Sequence, residues 1–306
     1  PLGTYHAPHR MKQRLDQRLA ALGLTESREQ ARRLIMAGEV TVNGQVVDRP
    51  AVTVAEEAAI EIRTRPRFVS RGGEKLDAAL EQFQISVAGL VCADVGASTG
   101  GFTDVLLQRG AARVYAIDVG RGILDYRLRT DSRVAVMEET NARYLEQLPE
   151  PARFVSIDAS FISLKLLLPV VKGWISPMPP SGASAPAPQL KTGAREWGSG
   201  GDLVCLIKPQ FEAGRKDVGK GGVVRDPNIH RRVLAEVLAF AQGQGFDVNG
   251  LMPSPLRGPK GNVEFLAWLA AASSAAGGLK VDSSSGQKDL APLIDAALQA
   301  VGADEI

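Results

Sequence analysis

The sequence predicts an α/β protein: a large domain built on a mostly parallel sheet, preceded by a small α+β domain. Two observations support this prediction. From residue 90 onward, short apolar runs alternate with helical patterns, as in strands that are joined by crossover helices. Before that, two short helical segments precede Asn43-Gly44, a strong hairpin signal. The chain has 306 residues, 44% of them hydrophobic, which is enough for both domains.

Composition narrows the class of protein. The net charge of +2 is too small to establish nucleic-acid binding by itself. Cys92 and Cys205 lie in apolar runs, as buried small side chains do, and no zinc-ligand spacing occurs, so we expect no metal. No apolar run approaches the roughly 18 residues that a membrane span requires, and no signal-peptide core is present. We therefore expect a cytoplasmic protein without membrane contact.

The small domain is predicted to span residues 11–63. Its apolar residues recur first at helical spacing and then in short strand-like runs. The predicted elements are a helix with Leu15, Leu19 and Leu22 on its apolar side, a helix capped by Thr25 or Ser27 and ending near Gly38, a hairpin over residues 40–47 and a strand over residues 59–63.

Basic side chains cluster on the two helices of this domain. They are Lys12, Arg14 and Arg18 of the first helix and Arg28, Arg32 and Arg33 of the second. Such a cluster can neutralise phosphates, although an ordinary solvated helix face has the same pattern. The stretch LDQRLAALGLTESREQARRLIMAGEVTVNGQVV resembles an S4 domain, the RNA-binding module of ribosomal protein S4 and of several RNA-modifying enzymes. This resemblance implies that the second helix and the start of the hairpin face RNA.

Residues 64–68 contain a proline and no periodicity, which predicts a short linker. Ser70 is a candidate cap for the next helix, whose buried side would carry Leu76, Ala79 and Leu80. Lys75 would lie in the first turn of that helix, where the helix dipole disfavours a cation. A misplaced charge can indicate function, but a lone lysine can equally be a solvated surface group.

A strand, a glycine turn and a helix are predicted over residues 91–108, beginning VCADVGASTGGFTD. Glycines let the backbone approach a nucleotide-like ligand closely. The DxGxxxGG spacing departs from the GxGxxG of dinucleotide sites, and Asp94 suits a cationic amino-acid end better than a diphosphate. The pattern therefore favours S-adenosylmethionine over NAD, with chance glycines as the alternative. The candidate cofactor-binding residues here are Asp94, Gly96, Ala97, Ser98, Gly100, Gly101 and Phe102.

Polar residues follow several of the later strands. Strands are predicted over residues 113–117, 134–137, 154–157, 202–207 and 246–251, and helices over residues 164–171 and 229–243. Asp118 is placed to hold ribose hydroxyls or is simply solvated, and Asn141 is placed to reach an adenine edge or to serve a turn. Asp158 and Lys208 also follow strands, and the carboxyl ends of parallel strands meet at one edge of a sheet.

Glu264 interrupts an apolar strand predicted over residues 263–268. A buried carboxylate is costly without a cation, so its partner should be a lysine. Residues 176–200 are rich in Pro, Ser, Ala and Gly, which predicts a flexible surface insertion. A linker and an amphipathic helix over residues 290–301 are predicted to complete the chain within residues 272–306.

Six motifs together resemble one family: SRGGEKL, DVGASTGGFTD, DASFIS, KPQFEAG, GGVVRD and GNVEFL. They are similar to those of the TlyA family, historically labelled haemolysin A and regarded as ribosomal RNA 2′-O-ribose methyltransferases. The resemblance implies a Rossmann-like, FtsJ-like catalytic domain over residues 69–271, S-adenosylmethionine as cofactor and ribosomal RNA or ribosomal subunits as partners. The family's Lys-Asp-Lys-Glu tetrad matches Lys75, Asp158, Lys208 and Glu264, with Asp158 also near the cofactor and Arg71 near the RNA.

The resemblance also implies roles for the tetrad. Lys208 would act as base or orient the 2′-hydroxyl, Asp158 and Glu264 would place the ammonium groups, and Lys75 would help to hold the ribose. No metal is required. Two rivals are an RNA-binding protein without catalysis, which an altered tetrad would signal, and a membrane-active haemolysin, which the absence of a spanning segment disfavours.

Overall fold

A computed structural model describes residues 12–63, 66–175, 201–271 and 289–303. The chain divides into two compact units after Arg67. We call them the N-terminal unit and the C-terminal unit. The insertion predicted over residues 176–200 lies outside the described residues, as do residues 64–65 of the predicted linker and 272–288 of the C-terminal segment.

The N-terminal unit is a small α+β structure. Its elements are β1 (Lys12–Arg14), α1 (Leu15–Ala21), α2 (Arg28–Met36), β2 (Val40–Val42), β3 (Gln45–Val46), β4 (Thr53–Ala55) and β5 (Ile60–Ile62). Strands β3, β2 and β5 form one antiparallel sheet, and β1 pairs antiparallel with β4. Leu15, Leu19, Ala31 and Ile35 join α1 to α2 in the core, which confirms these predicted positions. The prediction for Leu22 is wrong: α1 ends at Ala21, and Leu22 is exposed.

A helix cap and a hairpin turn in this unit are formed by the residues that the sequence predicts. Ser27 caps α2, because its side chain accepts a hydrogen bond from the backbone N–H of Gln30. Asn43 and Gly44 both have positive φ, 51° and 79°, as a type I′ hairpin turn requires. The Asn43 side chain also accepts a hydrogen bond from the backbone N–H of Ala59, which ties the turn to the segment before β5.

The prediction that Lys12 and Arg14 lie on the first helix is wrong. Both belong to β1, whose three residues pair with β4. A three-residue strand is too short to show an alternating pattern, so neither β1 nor β4 is visible in the sequence. Helix α1 begins only at Leu15, directly after this strand.

The C-terminal unit contains one seven-stranded sheet and its flanking helices. The strands are β6 (Val91–Val95), β7 (Arg113–Ile117), β8 (Val134–Met137), β9 (Phe154–Ile157), β10 (Asp202–Ile207), β11 (Phe246–Pro253) and β12 (Phe265–Ala271). The helices are α3 (Gly72–Gln82), α4 (Gly101–Gln108), α5 (Tyr126–Arg129), α6 (Leu164–Trp174), α7 (Pro209–Glu212), α8 (Pro227–Gly243) and α9 (Ala291–Ala303), with a 3₁₀ turn at Ala142–Tyr144.

The strand order is β11-β12-β10-β9-β6-β7-β8. The five strands from β10 to β8 run parallel, and β12 runs antiparallel to both of its neighbours. The prediction of a mostly parallel sheet in an α/β fold is thus confirmed. Alternate residues of each strand point to opposite faces, so Cys92 belongs to one apolar core and its neighbour Ala93 to the other. Both free cysteines are buried, as predicted.

Two local predictions in this unit need correction. The residue at the N-terminus of α3 is Arg71, without a side-chain cap, so Ser70 does not cap the helix. Strand β12 begins at Phe265, so Glu264 precedes the strand instead of interrupting it. The error arises because Val263 extends the apolar run in the sequence although only residues from Phe265 onward pair with β10. The C-terminal helix is confirmed as α9, which buries Ile294 and Ala297.

Candidate active site

The sheet of the C-terminal unit forms a crevice at the carboxyl ends of its parallel strands. Strand β6 lies between β7 and β9, so the connections on its two sides leave in opposite directions. Ligands of open α/β sheets bind at such a switch point. Asp118 follows β7, Asp158 follows β9 and Lys208 follows β10, so these predicted residues share this edge of the sheet.

The glycine turn after β6 permits unusually close backbone contacts. Gly96 and Gly100 have φ of 82° and 98°, which favour glycine. A Cβ on Gly96 would lie 2.7 Å from the carbonyl oxygen of Asp158, and one on Gly101 would lie 2.4 Å from Ser70 Oγ. These contacts leave a cavity lined by Ser70, Gly72, Gly96, Ala97, Ser98, Thr99, Gly101, Phe102 and Asp158. A larger side chain at either glycine would therefore disrupt the wall of this cavity.

Asp94 lies beneath the turn and is fully buried, with 0% of its surface exposed. Its carboxylate accepts hydrogen bonds from Thr103 Oγ1 of α4 at 2.7 Å and from Ser156 Oγ of β9 at 3.1 Å. Burial raises the pKa of Asp94 to about 7, and the two hydroxyls oppose that rise. Asp94 thus joins β6, α4 and β9 directly under the candidate cofactor cavity.

Asp118 and its loop border the other side of the turn. The Asp118 carboxylate accepts hydrogen bonds from the backbone N–H groups of Ser98 and Gly120, at 2.8 and 2.7 Å. The following loop is held by Glu138, which accepts from the backbone N–H groups of residues 122–124 and pairs with Arg129. These bonds lower the pKa of Glu138 to about 2. The loop beside the candidate ribose-binding carboxylate is therefore fixed by one charged side chain.

Asn141 serves a turn in the structure. Its side chain accepts a hydrogen bond from the backbone N–H of Arg143 and caps the 3₁₀ turn that follows β8. The Oδ1 atom of Asn141 is therefore engaged in this cap. Contact between Asn141 and an adenine edge remains a prediction.

The four predicted tetrad residues form two lysine–carboxylate pairs. Lys208 Nζ lies 2.6 Å from Asp158 Oδ1, and Lys75 Nζ lies 2.6 Å from Glu264 Oε2. The expectation that a lysine neutralises Glu264 is thus confirmed. Glu264 is only 1% exposed, so its charge depends on this partner. Because β12 is antiparallel to β10, the residue before β12 lies beside the residue after β10, which brings the second pair to the first.

Two polar side chains at the tetrad were not predicted. Lys208 Nζ donates to Ser160 Oγ at 3.0 Å, and Gln210 Nε2 donates to Glu264 Oε1 at 3.0 Å. Both residues lie inside motifs recognised in the sequence, DASFIS and KPQFEAG, but no spacing rule assigns them partners across the sheet. They fix the orientation of one lysine and one carboxylate of the tetrad.

An exposed aromatic ring packs against Phe211, whose other neighbour is Lys208. Phe161 is 90% exposed and has a φ of 64°, a rare conformation for a bulky residue. Its ring lies 5.0 Å from that of Phe211, and Lys208 Nζ lies 5.8 Å from the Phe211 ring. An apolar ring held in solvent beside a charged pair offers a flat surface to a ligand.

The basic cluster of the N-terminal unit is only partly available. Arg14 and Arg28 both pair with the buried carboxylate of Asp16, and Arg18 donates to the backbone carbonyl of Glu56. These arginines hold the unit together, and the two Asp16 pairs lower the pKa of that carboxyl group to about 2. Of the basic cluster, the arginines of α2 that remain available to a ligand are Arg32 and Arg33, both of which are exposed. Arg71 of the C-terminal unit is exposed as well.

Comparison with known proteins agrees with this geometry. Residues 68–271 match the FtsJ-like methyltransferase family, and residues 13–60 match the S4 domain. The fold and site therefore define an S-adenosylmethionine-dependent methyltransferase of the Rossmann-like class, joined to an S4 domain.

The relatives are more specific. The chain is 45% identical over 260 residues to the 16S/23S rRNA (cytidine-2′-O)-methyltransferase TlyA of Mycobacterium tuberculosis, covering 84% of this chain and 89% of that protein. It is 38% identical to Hemolysin A of Brachyspira hyodysenteriae, covering 83% and 98%. A solved structure from Streptococcus thermophilus, 39% identical, covers 97% of this chain and 99% of its own, with a TM-score of 0.63. The chain belongs to the TlyA family of FtsJ-like methyltransferases.

Proposed function

We propose that this chain transfers a methyl group from S-adenosylmethionine to the 2′-hydroxyl of a cytidine ribose in ribosomal RNA. The observation that carries the proposal is the tetrad: one buried and one partly buried lysine–carboxylate pair at the same sheet edge as a glycine-lined cavity. The base and position of the methyl group follow the names of the relatives. A ribosomal substrate also supports the expectation that the protein works in the cytoplasm.

The cavity of the C-terminal unit fits the cofactor. Gly96 and Gly101 make a cradle that a Cβ would fill, and Asp118 presents a carboxylate beside it, suited to ribose hydroxyls. Asp94, buried beneath the turn, joins α4 and β9 to it through Thr103 and Ser156 and so supports the wall of the cavity. When bound there, S-adenosylmethionine supplies a methyl group activated by its sulfonium charge.

Lys208 is the residue assigned to the reacting hydroxyl. A ribose hydroxyl is a poor acid, so its attack needs orientation and a route for its proton. Lys208 Nζ is held between Asp158 and Ser160, which leaves little freedom to the ammonium group. Correct placement of the two reactants is worth roughly 7–11 kcal/mol, more than a general base usually supplies. We infer that Lys208 fixes the hydroxyl in line for attack, and that its Nζ takes the proton only when neutral.

Lys75 and Glu264 support the opposite side of the ribose. Glu264 Oε2 holds Lys75 Nζ, and its other oxygen accepts from Gln210, so the carboxylate is committed to positioning. Lys75 then presents its remaining N–H donors to the ribose. Phe161, exposed beside Lys208, is placed to stack on the base of the target nucleotide.

Both rival functions are less consistent with the molecule. An RNA-binding protein without catalysis has no need of the buried Lys75–Glu264 pair, which is costly to maintain. All four tetrad residues are present and paired. For a membrane-active haemolysin, the described residues contain no helix that is long and apolar enough to span a bilayer.

The test replaces Lys208 by Ala and by Arg and follows methyl transfer from labelled S-adenosylmethionine to each ribosomal subunit. Single-turnover rates should fall by about 10²-fold or more in Lys208→Ala, the usual scale for a positioned acid–base group. Lys208→Arg should fail too, since its longer planar head group changes the geometry. Cofactor affinity, measured by calorimetry, should stay near that of the wild type.

Lys165→Ala is the matched control, because Lys165 also pairs with a carboxylate, Glu236, but lies outside the site. It should methylate at the wild-type rate. Full activity in Lys208→Ala would remove this lysine from the mechanism. Absence of methyl transfer by the wild-type protein to either subunit would overturn the proposed function itself.

A further inference from the structure

Two loops of the C-terminal unit carry a concentration of exposed cations. One loop joins α7 to α8 and the other joins β11 to β12. We call the following five exposed residues the cationic strip: Arg215, Lys216, Lys220, Arg225 and Lys260. The two loops are in contact, since a Cβ on Gly222 would lie 3.5 Å from Lys260 Nζ.

The strip differs from most other basic residues in the described part of this unit in having no acidic partners. None of its five side chains forms an ion pair within the described part of the chain. By contrast, ion pairs hold Arg109, Arg113, Arg121, Arg127, Arg129, Arg133, Lys165, Arg231 and Arg232. Five unpaired cations of the described unit thus lie on two contacting loops, and Arg71 and Arg143 are exposed elsewhere in the described part of the chain without an ion pair.

The two acidic residues of the loop between α7 and α8 interact with α8 instead of with the strip. Asp217 pairs with Arg232 of α8 at 2.5 Å. Asp226 caps α8 by accepting a hydrogen bond from the backbone N–H of Asn228. Neither carboxylate neutralises its basic neighbours, so the strip presents a positive potential to solvent.

A buried clamp fixes the loop that carries most of the strip. Val224 is 2% exposed, and its backbone N–H donates to Asn262 Oδ1 at 3.0 Å. Its carbonyl oxygen lies 3.1 Å from Nε2 of the buried His230 on α8. Asn262, 3% exposed, also donates from Nδ2 to the carbonyl oxygen of Gly222. Both polar ends of the Asn262 amide thus hold this loop against the other one.

The clamp also links the strip to the tetrad. Asn262 precedes Glu264 by two residues, and its carbonyl oxygen accepts from the backbone N–H of Gly258. A Cβ on Gly258 would lie 2.5 Å from Glu264 Oε1. At the other end, α7 begins directly after Lys208 and leads into the first loop. The first loop therefore follows Lys208 after one short helix, and the second loop ends at Glu264.

We propose that the cationic strip binds the phosphodiester backbone of the RNA next to the target nucleotide. Five cations spread over two loops suit successive phosphates of a chain better than one compact anion, and a clamped loop loses little entropy on binding. The strip would thus place the ribose at the tetrad, separately from contacts that the S4 domain makes. This inference rests on the proposed function.

The test is the triple variant Lys220→Gln, Arg225→Gln and Lys260→Gln of the full chain. Its RNA affinity should fall, and the slope of log affinity against log salt should flatten by about 0.7–0.9 per lost phosphate contact. The KM for the ribosomal subunit should rise by at least tenfold with kcat nearly unchanged, because uniform binding is lost. Cofactor affinity should not change.

The control triple, Arg113→Gln, Arg133→Gln and Lys165→Gln, removes three ion-paired cations and the same net charge. It should keep both the wild-type slope and KM. If the two triples lose affinity equally, the effect is one of net charge and the strip is not a binding site. If the wild-type protein methylates RNA while the strip variant has the wild-type slope and KM, this inference fails and the proposed function stands.

Discussion

Asp94→Asn should remove a pH dependence from the stability of the C-terminal unit. The carboxyl group has a pKa of about 7 in the fold, raised chiefly by burial, against 3.8 for the ordinary group. A raised carboxyl pKa means that between these values the folded state holds a proton that the unfolded state has released. Stability therefore decreases as pH rises from about 4 to about 7, and is constant above that. Asn keeps the shape and cannot ionise.

The size of the effect follows from the shift in pKa. Each unit corresponds to 1.36 kcal/mol, so about 3 units give about 4 kcal/mol as an order of magnitude. Relative to the wild type, Asp94→Asn should gain stability by this amount between about pH 4 and pH 8. All three tryptophans lie in the C-terminal unit, at positions 174, 197 and 268, so their fluorescence during urea unfolding reports on that unit.

Asp131→Asn provides a control of opposite sign, because the pKa of Asp131 is lowered by its hydrogen bond to Arg133. That variant should lose stability relative to the wild type above the ordinary carboxyl pKa, and the loss should vanish as pH falls. A stability difference between Asp94→Asn and the wild type that is the same at every pH would refute the reasoning, since it would show that folding does not change the pKa of Asp94.

Three other predictions address the site and the RNA surface. Gly96→Val should abolish cofactor binding in a folded protein, because its Cβ would meet the carbonyl of Asp158 at 2.7 Å; unchanged calorimetric affinity would contradict this. Glu138→Gln should weaken cofactor affinity by loosening the loop beside Asp118, and wild-type affinity would show that the loop is fixed otherwise. Arg32→Glu with Arg33→Glu should weaken RNA binding and flatten its salt dependence without affecting cofactor affinity; an unaltered slope would mean that α2 is merely solvated.

Much of the fold follows from local patterns. The strands β6 to β10 are apolar runs bounded by polar residues, and the glycine turn of Gly96 and Gly100 needs backbone angles that the sequence signals directly. Two members of the tetrad, Asp158 and Lys208, are also predictable, because parallel strands bring their carboxyl ends together, whereas the complete tetrad is recognised from the family resemblance. The sequence even requires a lysine for Glu264, since burial of a lone carboxylate is costly.

Other features depend on contacts between distant segments. That Arg14 and Arg28 serve Asp16 follows from the packing of α1 against α2, which no spacing rule gives. Strand β1 is three residues long, so it is stabilised by its pairing with β4 instead of by its own pattern. Similarly, Ser160 acquires its role only once β9 and β10 lie side by side.

The pairing of Lys75 with Glu264 has a consequence for the order in which this enzyme matures. The two residues are 189 positions apart, one on the first helix and the other just before the last strand of the C-terminal unit. Contacts of such long range form late, and a ribosome delivers the N-terminal partner first. An unfinished chain would hold Lys75 without its carboxylate. On the proposed mechanism, competence for methyl transfer therefore follows synthesis of the S4 domain, and a partial chain that ends before Glu264 would not methylate RNA.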